Sequence, residues 1–487
     1  MSADYDLVIL GGTLEGRYAA AMAVSYGARV ALIESPGLFA QRQQARYLLK
    51  GVQQLAEGRE RQRVSEWFLP AATANTAVKA TEGKATLAEL DWSALVRWSA
   101  IAAETQCPQF SAEALSASGV DLIFAEPKQL SHELIVTVAD RQLSTRAVLA
   151  AFGMVPGDFV DPDDLSDRLP MTAVTGLEPL IRAKQLPREI YVWGHSLETV
   201  AWASALNSLG VKVTLVTDRF LRQEDSEIRE RVRSQLIAAG VTFDRSAALQ
   251  PAETCILQLA RRKPAIVLPD FVYPPYSQYQ GIDARIPERP YLLSNGHLQT
   301  AHPRVFACGS LLRGNNTHFA VARHEAAMAV WNALFWPRKR VDYGAIAQGY
   351  SRIAIAGRAP KFAKIGHAPP KGYRIWSAAA PNSADLQRVI PQPLYCKLIC
   401  KRDRLQSIHL LGDGAGELIE PLAAAIGQPV TTLLDTADYD TVSPMTEALM
   451  DVVRTAAKQS VLTRWQPGHW RRDWAENWFN WRRSRDR

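Results

Sequence analysis

The residues best placed to do chemistry are Gly11, Gly12, Thr13, Leu14, Glu15 and Gly16. They lie between a short apolar run, Asp6 to Leu10, and an alanine-rich stretch, Arg17 to Tyr26. Glycines at a strand-to-helix turn leave backbone N–H groups and the positive end of the helix dipole facing a pyrophosphate. Gly27 stops the helix, Arg29 to Ile33 returns as a second strand, and Glu34 ends it. A carboxylate there can accept hydrogen bonds from an adenosine ribose. The pattern is G-x-G-x-x-G with one fault. Thr13 replaces the second glycine, so a Cβ crowds the approach to phosphate, although its hydroxyl could itself donate to one. The turn alone is a weak signal, strengthened by the strand, the helix and the terminal acid. The alternative is a βαβ unit that binds no nucleotide.

Arg188 to Thr217 repeats the unit: strand IYVW, turn Gly194-His195-Ser196-Leu197-Glu198-Thr199, a helix to Leu209, and strand VKVTLVT. Two such units in one chain are far more specific than one. The second is more eroded. Ser196 and Thr199 replace the second and third glycines, and Thr217 stands where an acid would hold a nicotinamide-nucleotide ribose. Neighbouring Asp218 or Arg219 could substitute, Arg219 favouring a 2′-phosphate. A purely structural βαβ unit is the alternative here too.

Other reactive side chains are sparse. The five cysteines (Cys107, Cys255, Cys308, Cys396 and Cys400) are scattered and odd in number. They point to a reducing, cytoplasmic compartment and away from a disulfide scaffold or a zinc site. Cys396 and Cys400 are four apart in an apolar, strand-like run and are expected to share one buried face. His195, His318 and His324 fall near motif turns, but isolated histidines at loop ends carry no assignable role.

The 487 residues suffice for several domains. Composition is that of an ordinary globular protein, 47% hydrophobic and 22% charged. The opening MSADYDLVI lacks a basic, apolar leader, and no run is long enough for a membrane span. Net charge is +7. Much of it lies in residues 464–487, where seven Arg face three acids. The rest is nearly neutral, which argues against nucleic-acid binding.

Between and beyond the two units, 86–118 reads as helix, and 119–125, 134–138 and 147–152 read as strands. Residues 264–290 are Pro-rich. A helix is expected from about 317 to 334, two strands about the turn KRDR within 396–411, a helix over 416–426, a strand over 429–434 and a helix over 444–458.

In this order the pieces resemble the FAD-dependent pyridine nucleotide-disulfide oxidoreductases, the group of dihydrolipoamide dehydrogenase, glutathione reductase and mercuric reductase. The resemblance runs from about residue 5 to 455. It implies an α/β fold with two Rossmann-like domains, for FAD and for NAD(P)H, and a C-terminal α+β dimerisation domain. The FAD domain would comprise 1–156 and 278–340, the NAD(P)H domain 157–277 and the dimerisation domain 341–458, with 459–487 an amphipathic tail. FAD would rest on Gly11, Gly12, Thr13, Gly16 and Glu34. It would also meet Ala151 and Gly153 of the A-T-G strand end, here Ala151-Phe152-Gly153. The motif T-x-x-P-x-[IV]-[YF]-A-x-G-D, here running from Thr300 to Ser310, adds Gly309 and Ser310. NAD(P)H would rest on Gly194, Ser196, Thr199, Asp218 and Arg219.

The departures fall on the chemistry. The family's C-x4-C disulfide has no counterpart in Leu38 to Leu49, LFAQRQQARYLL. The acid/base motif H-P-T-x-x-E appears as Ser443-Pro444-Met445-Thr446-Glu447-Ala448. Without a thiolate to protonate, a histidine there has no task, so the two losses agree. Disulfide and mercuric reductase activities are therefore not expected. Ser310 replaces an Asp that bonds the flavin ribityl chain, at a cost of about 1–2 kcal/mol.

The expected function is NAD(P)H oxidation through FAD to a small acceptor such as a quinone. The alternative is a non-catalytic dimeric scaffold. In the tail, Trp470, Trp474, Trp478 and Trp481 fall within an arc of about 80° on a helix. A tryptophan stripe edged by arginine suits an anionic bilayer surface. Docking on the protein's own surface or dimer mate, or in a partner's groove, are the other readings.

Overall fold

The computed structural model describes residues 3–68, 90–156, 177–217, 220–221, 224–244, 255–258, 262–264, 268, 272, 292–312, 318–350, 352–357, 372–380, 394–412, 414–431, 449, 452–456, 474, 477–478 and 481. They divide into two compact units, Met1–Gln223 with Arg229–Asp342, and Glu224–Ile228 with Tyr343–Arg487.

The first unit opens with β1 (Leu7–Leu10), α1 (Leu14–Ser25) and β2 (Val30–Glu34). Every residue of both strands is buried, as an unbroken apolar run in a parallel sheet requires. Then come α2 (Leu38–Phe68), α3 (Trp92–Thr105), β3 (Asp121–Phe124) and β4 (Val148–Ala150). The second βαβ unit is β5 (Glu189–Trp193), α4 (Leu197–Ser208) and β6 (Lys212–Val216). After α5 (Ser226–Ala238), β7 (Thr242–Asp244) and β8 (Cys255–Gln258), the chain returns through β9 (Val305–Ala307) and α6 (Phe319–Leu334).

Two separate parallel sheets result, in the orders β9-β4-β1-β2-β3 and β7-β6-β5-β8. In the first, the chain steps from β1 to β2 and β3 on one side, then to β4 and β9 on the other. The strand order therefore reverses between β1 and β4. The crevice at the carboxyl ends of strands flanking such a reversal is where open α/β sheets bind ligands.

The second unit holds an antiparallel sheet of β10 (Ala347–Tyr350), β11 (Ile353–Gly357), β12 (Tyr373–Ala380), β13 (Leu394–Lys401) and β14 (Arg404–Leu411). Its order is β10-β11-β14-β13-β12. Its apolar face packs α7 (Ala415–Ala423) and Leu449, Val452, Val453 and Ala456. On β13, Lys397 is buried and its Nζ lies 2.7 Å from Asp225 and 3.0 Å from Glu227.

One expectation changes here. The strand expected over 429–434 is reduced, among its described residues, to one bridge from Pro429 to Arg404 followed by turn. Cys396 and Cys400 do share a buried face, but four residues along a strand is about 13 Å, too far for a disulfide. Burial pushes the Cys400 thiol up to about 12 and Cys396 further, so neither is a thiolate near neutrality. In the tail, Trp474, Trp478 and Trp481 are helical and exposed, with ring centroids 5.9 and 5.0 Å apart in sequence. Trp470 lies outside the described residues, as do Ser443 to Ala448. Among the described residues, no helix is long and apolar enough to cross a membrane.

Candidate functional site

Four strand ends meet at the reversal point: Gly11 after β1, Glu34 ending β2, Ala151-Phe152-Gly153 after β4, and Cys308-Gly309-Ser310 after β9. Gly11 has φ +109°, and an added Cβ would strike the Phe152 backbone. A Cβ on Gly16 would strike the Gly11 carbonyl. Glycine at both positions lets α1 begin hard against the sheet.

Thr13 corrects the sequence reading. Its side chain is buried; the hydroxyl donates to the Ala151 carbonyl at 2.6 Å and accepts from the Gly16 N–H at 3.2 Å. It caps α1 and ties the turn to β4, so it is not available as a phosphate donor.

Glu34 is also engaged. It is 2% exposed, and Arg17 Nε and Nη2 lie 2.9 and 2.5 Å from its two oxygens. The carboxylate lies over Gly12, where an added Cβ would collide with it. A ribose at this edge would share Glu34 with a guanidinium. Arg17 Nη1 donates to the Phe110 carbonyl at 2.7 Å, which fixes its direction.

On the other side of the turn, charged side chains that sequence reasoning passed over converge on Gly309 and Gly153. Gly309, at φ +76°, donates its N–H to buried Glu325 at 2.8 Å, and Glu15 Oε1 would lie 2.5 Å from an added Cβ. Arg42 of α2 donates to the Phe152 carbonyl at 2.9 Å, and its guanidinium covers Gly153 beside the Ser310 hydroxyl. Burial raises the Glu15 carboxyl pKa, while Arg42 and the residue's own backbone N–H pull it back. Burial raises the Cys308 thiol well above its ordinary value, reinforced by Glu15 and Glu325, so it stays a thiol. The signal for Glu15 was legible: an acid inside a turn built to receive an anion. Arg42 and Glu325 lie far from the turn in sequence, and no spacing pointed to them.

In the second βαβ unit, Ser196 and Thr199 form a reciprocal capping box, with both backbone–side-chain contacts at 3.3 Å. The Thr199 hydroxyl also covers Gly194. Two of the donors expected at this turn are thus paired within it. Thr217 Oγ1 is buried without a hydrogen-bond partner. Asp218 and Arg219 lie outside the described residues.

Paired parallel sheets, each with a strand–glycine turn–helix unit, define a two-Rossmann nucleotide-binding protein. The model of the family "Pyridine nucleotide-disulphide oxidoreductase" matches residues 5–326, and the chain belongs to that family. The family is FAD-dependent, with NAD(P)H as substrate, and its members are typically homodimers.

A mercuric reductase of Lysinibacillus sphaericus is 22% identical over 65% of this chain and 60% of its own length. A dihydrolipoyl dehydrogenase of Acholeplasma laidlawii is 26% identical over 70% of this chain and 100% of its own. The chain thus spans about 60% of the length of the mercuric reductase it matches. Among solved structures, the Cu(II) complex of a mutant of the HOCl-induced flavoprotein disulfide reductase RclA from Escherichia coli superimposes with a TM-score of 0.66. That match covers 93% of this chain and 99% of the other at 17% identity, and shows the fold.

The backbone fits FAD: a helix start at the sheet's reversal point, and a positive-φ Gly309 beside Ser310. Gly11, Gly12 and Gly16 would flank the pyrophosphate, Glu34 the adenosine ribose, and Ala151, Gly153, Gly309 and Ser310 the flavin side. The side chain that departs from the fit is Glu15.

Proposed function

We propose that this chain is an FAD-dependent NAD(P)H oxidoreductase that passes electrons to a small acceptor such as a quinone and takes no step through a dithiol. One observation carries the reading: Arg42 of α2 lies against Gly153 and Ser310, while the segment Leu38 to Leu49 holds no cysteine. The bound flavin would supply hydride acceptance. The protein's part is to bind the dinucleotides, align them and exclude water. Gly194, Ser196, Thr199, Asp218 and Arg219 are the proposed NAD(P)H contacts, and residues 341–458 the proposed dimer contact.

We assign the tail to the surface of an anionic bilayer, on its three exposed, aligned indoles and its excess of arginine. A peripheral position on the cytoplasmic face would bring the enzyme to a membrane quinone. A steady-state acceptor assay and a vesicle-binding assay test the two points. NAD(P)H oxidation should proceed with a soluble quinone and stay at background with oxidised lipoamide or Hg(II). Anionic vesicles should bind the full chain but not one ending at residue 463. Turnover with lipoamide or Hg(II) would overturn the acceptor assignment, and equal vesicle binding would overturn the tail assignment.

A second reading, a non-catalytic dimeric scaffold, is favoured by one specific observation. The capping box of Ser196 and Thr199 pairs donors that a bound dinucleotide would use.

A further inference from the structure

We propose that Glu15 is a resident anion: its carboxylate occupies the phosphate position at the start of α1, and a dinucleotide must displace it to bind. This deepens the flavin reading and rests on it.

The turn is built for a negative group. Thr13 caps α1 by taking the Gly16 N–H, and the positive end of the helix dipole stands at the crevice. Glu15 is in that first turn, and its own backbone N–H lowers its carboxyl pKa. The side chain is only partly exposed, and its carboxylate turns into the crevice toward Gly309. Its Oε1 lies against Gly309, on the opposite wall of the crevice, and Arg42 on α2 is the cation that partly balances it. One helix start, one wall and one counter-charge thus surround a carboxylate in a turn whose flanking glycines, Gly11, Gly12 and Gly16, accept no Cβ.

A pyrophosphate entering this place would meet like charge at close range. Juxtaposed like charges are strongly unfavourable where water is excluded. Displacement would also leave Arg42 to be shared between Glu15 and the phosphates. The consequence is a chain whose flavin is exchangeable, loading from solution and leaving on dilution, rather than one held permanently.

The test is FAD affinity by quenching of flavin fluorescence, using full-length apoprotein of the wild type, Glu15→Gln and Glu15→Ala. Glu15→Gln keeps the shape and removes the charge, and it remains informative if Glu15→Ala folds poorly; thermal unfolding of each apoprotein monitors that. The expected result is that Glu15→Gln binds FAD at least about tenfold tighter than wild type. Glu15→Ala should bind as tightly or tighter. Wild-type binding with Glu15→Gln equal to it or weaker would overturn the resident-anion assignment and leave the flavin reading standing. No FAD binding by any of the three would overturn both. Binding by the variants alone would support both.

Discussion

Arg17→Ala is expected to cost about 3–5 kcal/mol of stability, read as a fall in the urea midpoint. Arg17 is 5% exposed, and its guanidinium holds both oxygens of Glu34, itself 2% exposed, plus the Phe110 carbonyl. Removing it strands a buried carboxylate packed over Gly12. Removing both charges, in Arg17→Met with Glu34→Gln, should recover most of the loss, because the penalty lies in the unpaired charge. A single-variant loss below about 1 kcal/mol would mean the pair is solvated like a surface one. That result would free Glu34 to bind a ribose unassisted.

Lys397→Met is the second large effect, again about 3–5 kcal/mol. Lys397 lies in the second unit, 4% exposed at its side chain, against Asp225 at 0% and Glu227 at 29%. Asp225 cannot turn away, because its Oδ1 also accepts from the Glu227 and Ile228 N–H groups at the start of α5. Tyr395 holds the other oxygen of Glu227 at 2.6 Å. Methionine fills the volume of the lysine stem but leaves two acids without their cation. The expected result is a lower urea midpoint for Lys397→Met and partial recovery on adding Asp225→Asn. A midpoint unchanged by Lys397→Met would contradict a stabilising role for this buried cation.

Much of this arrangement could be read from the sequence, and the reasons are local. The run Leu7 to Leu10, the turn from Gly11 to Gly16 and the strand to Glu34 each state their structure within a few residues. So do the strands on either side of KRDR. What could not be read depended on pairs remote in sequence. Arg42 meets Phe152 and Gly153, Glu325 meets Gly309, and Lys397 meets Asp225, all through tertiary folding alone. Thr13 shows the same limit at close quarters. Its position in the turn was clear, but the direction of its hydroxyl depended on the Ala151 carbonyl across the sheet. Glu34 was placed at the ribose edge from its position alone, and its guanidinium partner emerged only with the fold.

The central claim is that the crevice at the end of β1 holds a flavin that nicotinamide can reduce. The direct measurement is visible absorbance of the full chain at dialysis equilibrium with FAD, read as the difference from the protein-free side so that an exchangeable flavin stays bound. Anaerobic NADH or NADPH is then added. A bound band at about 450 nm that bleaches on addition is the predicted result. Protein that stays colourless would contradict the flavin site, and a yellow protein that no nicotinamide nucleotide bleaches would leave a scaffold in place of an enzyme.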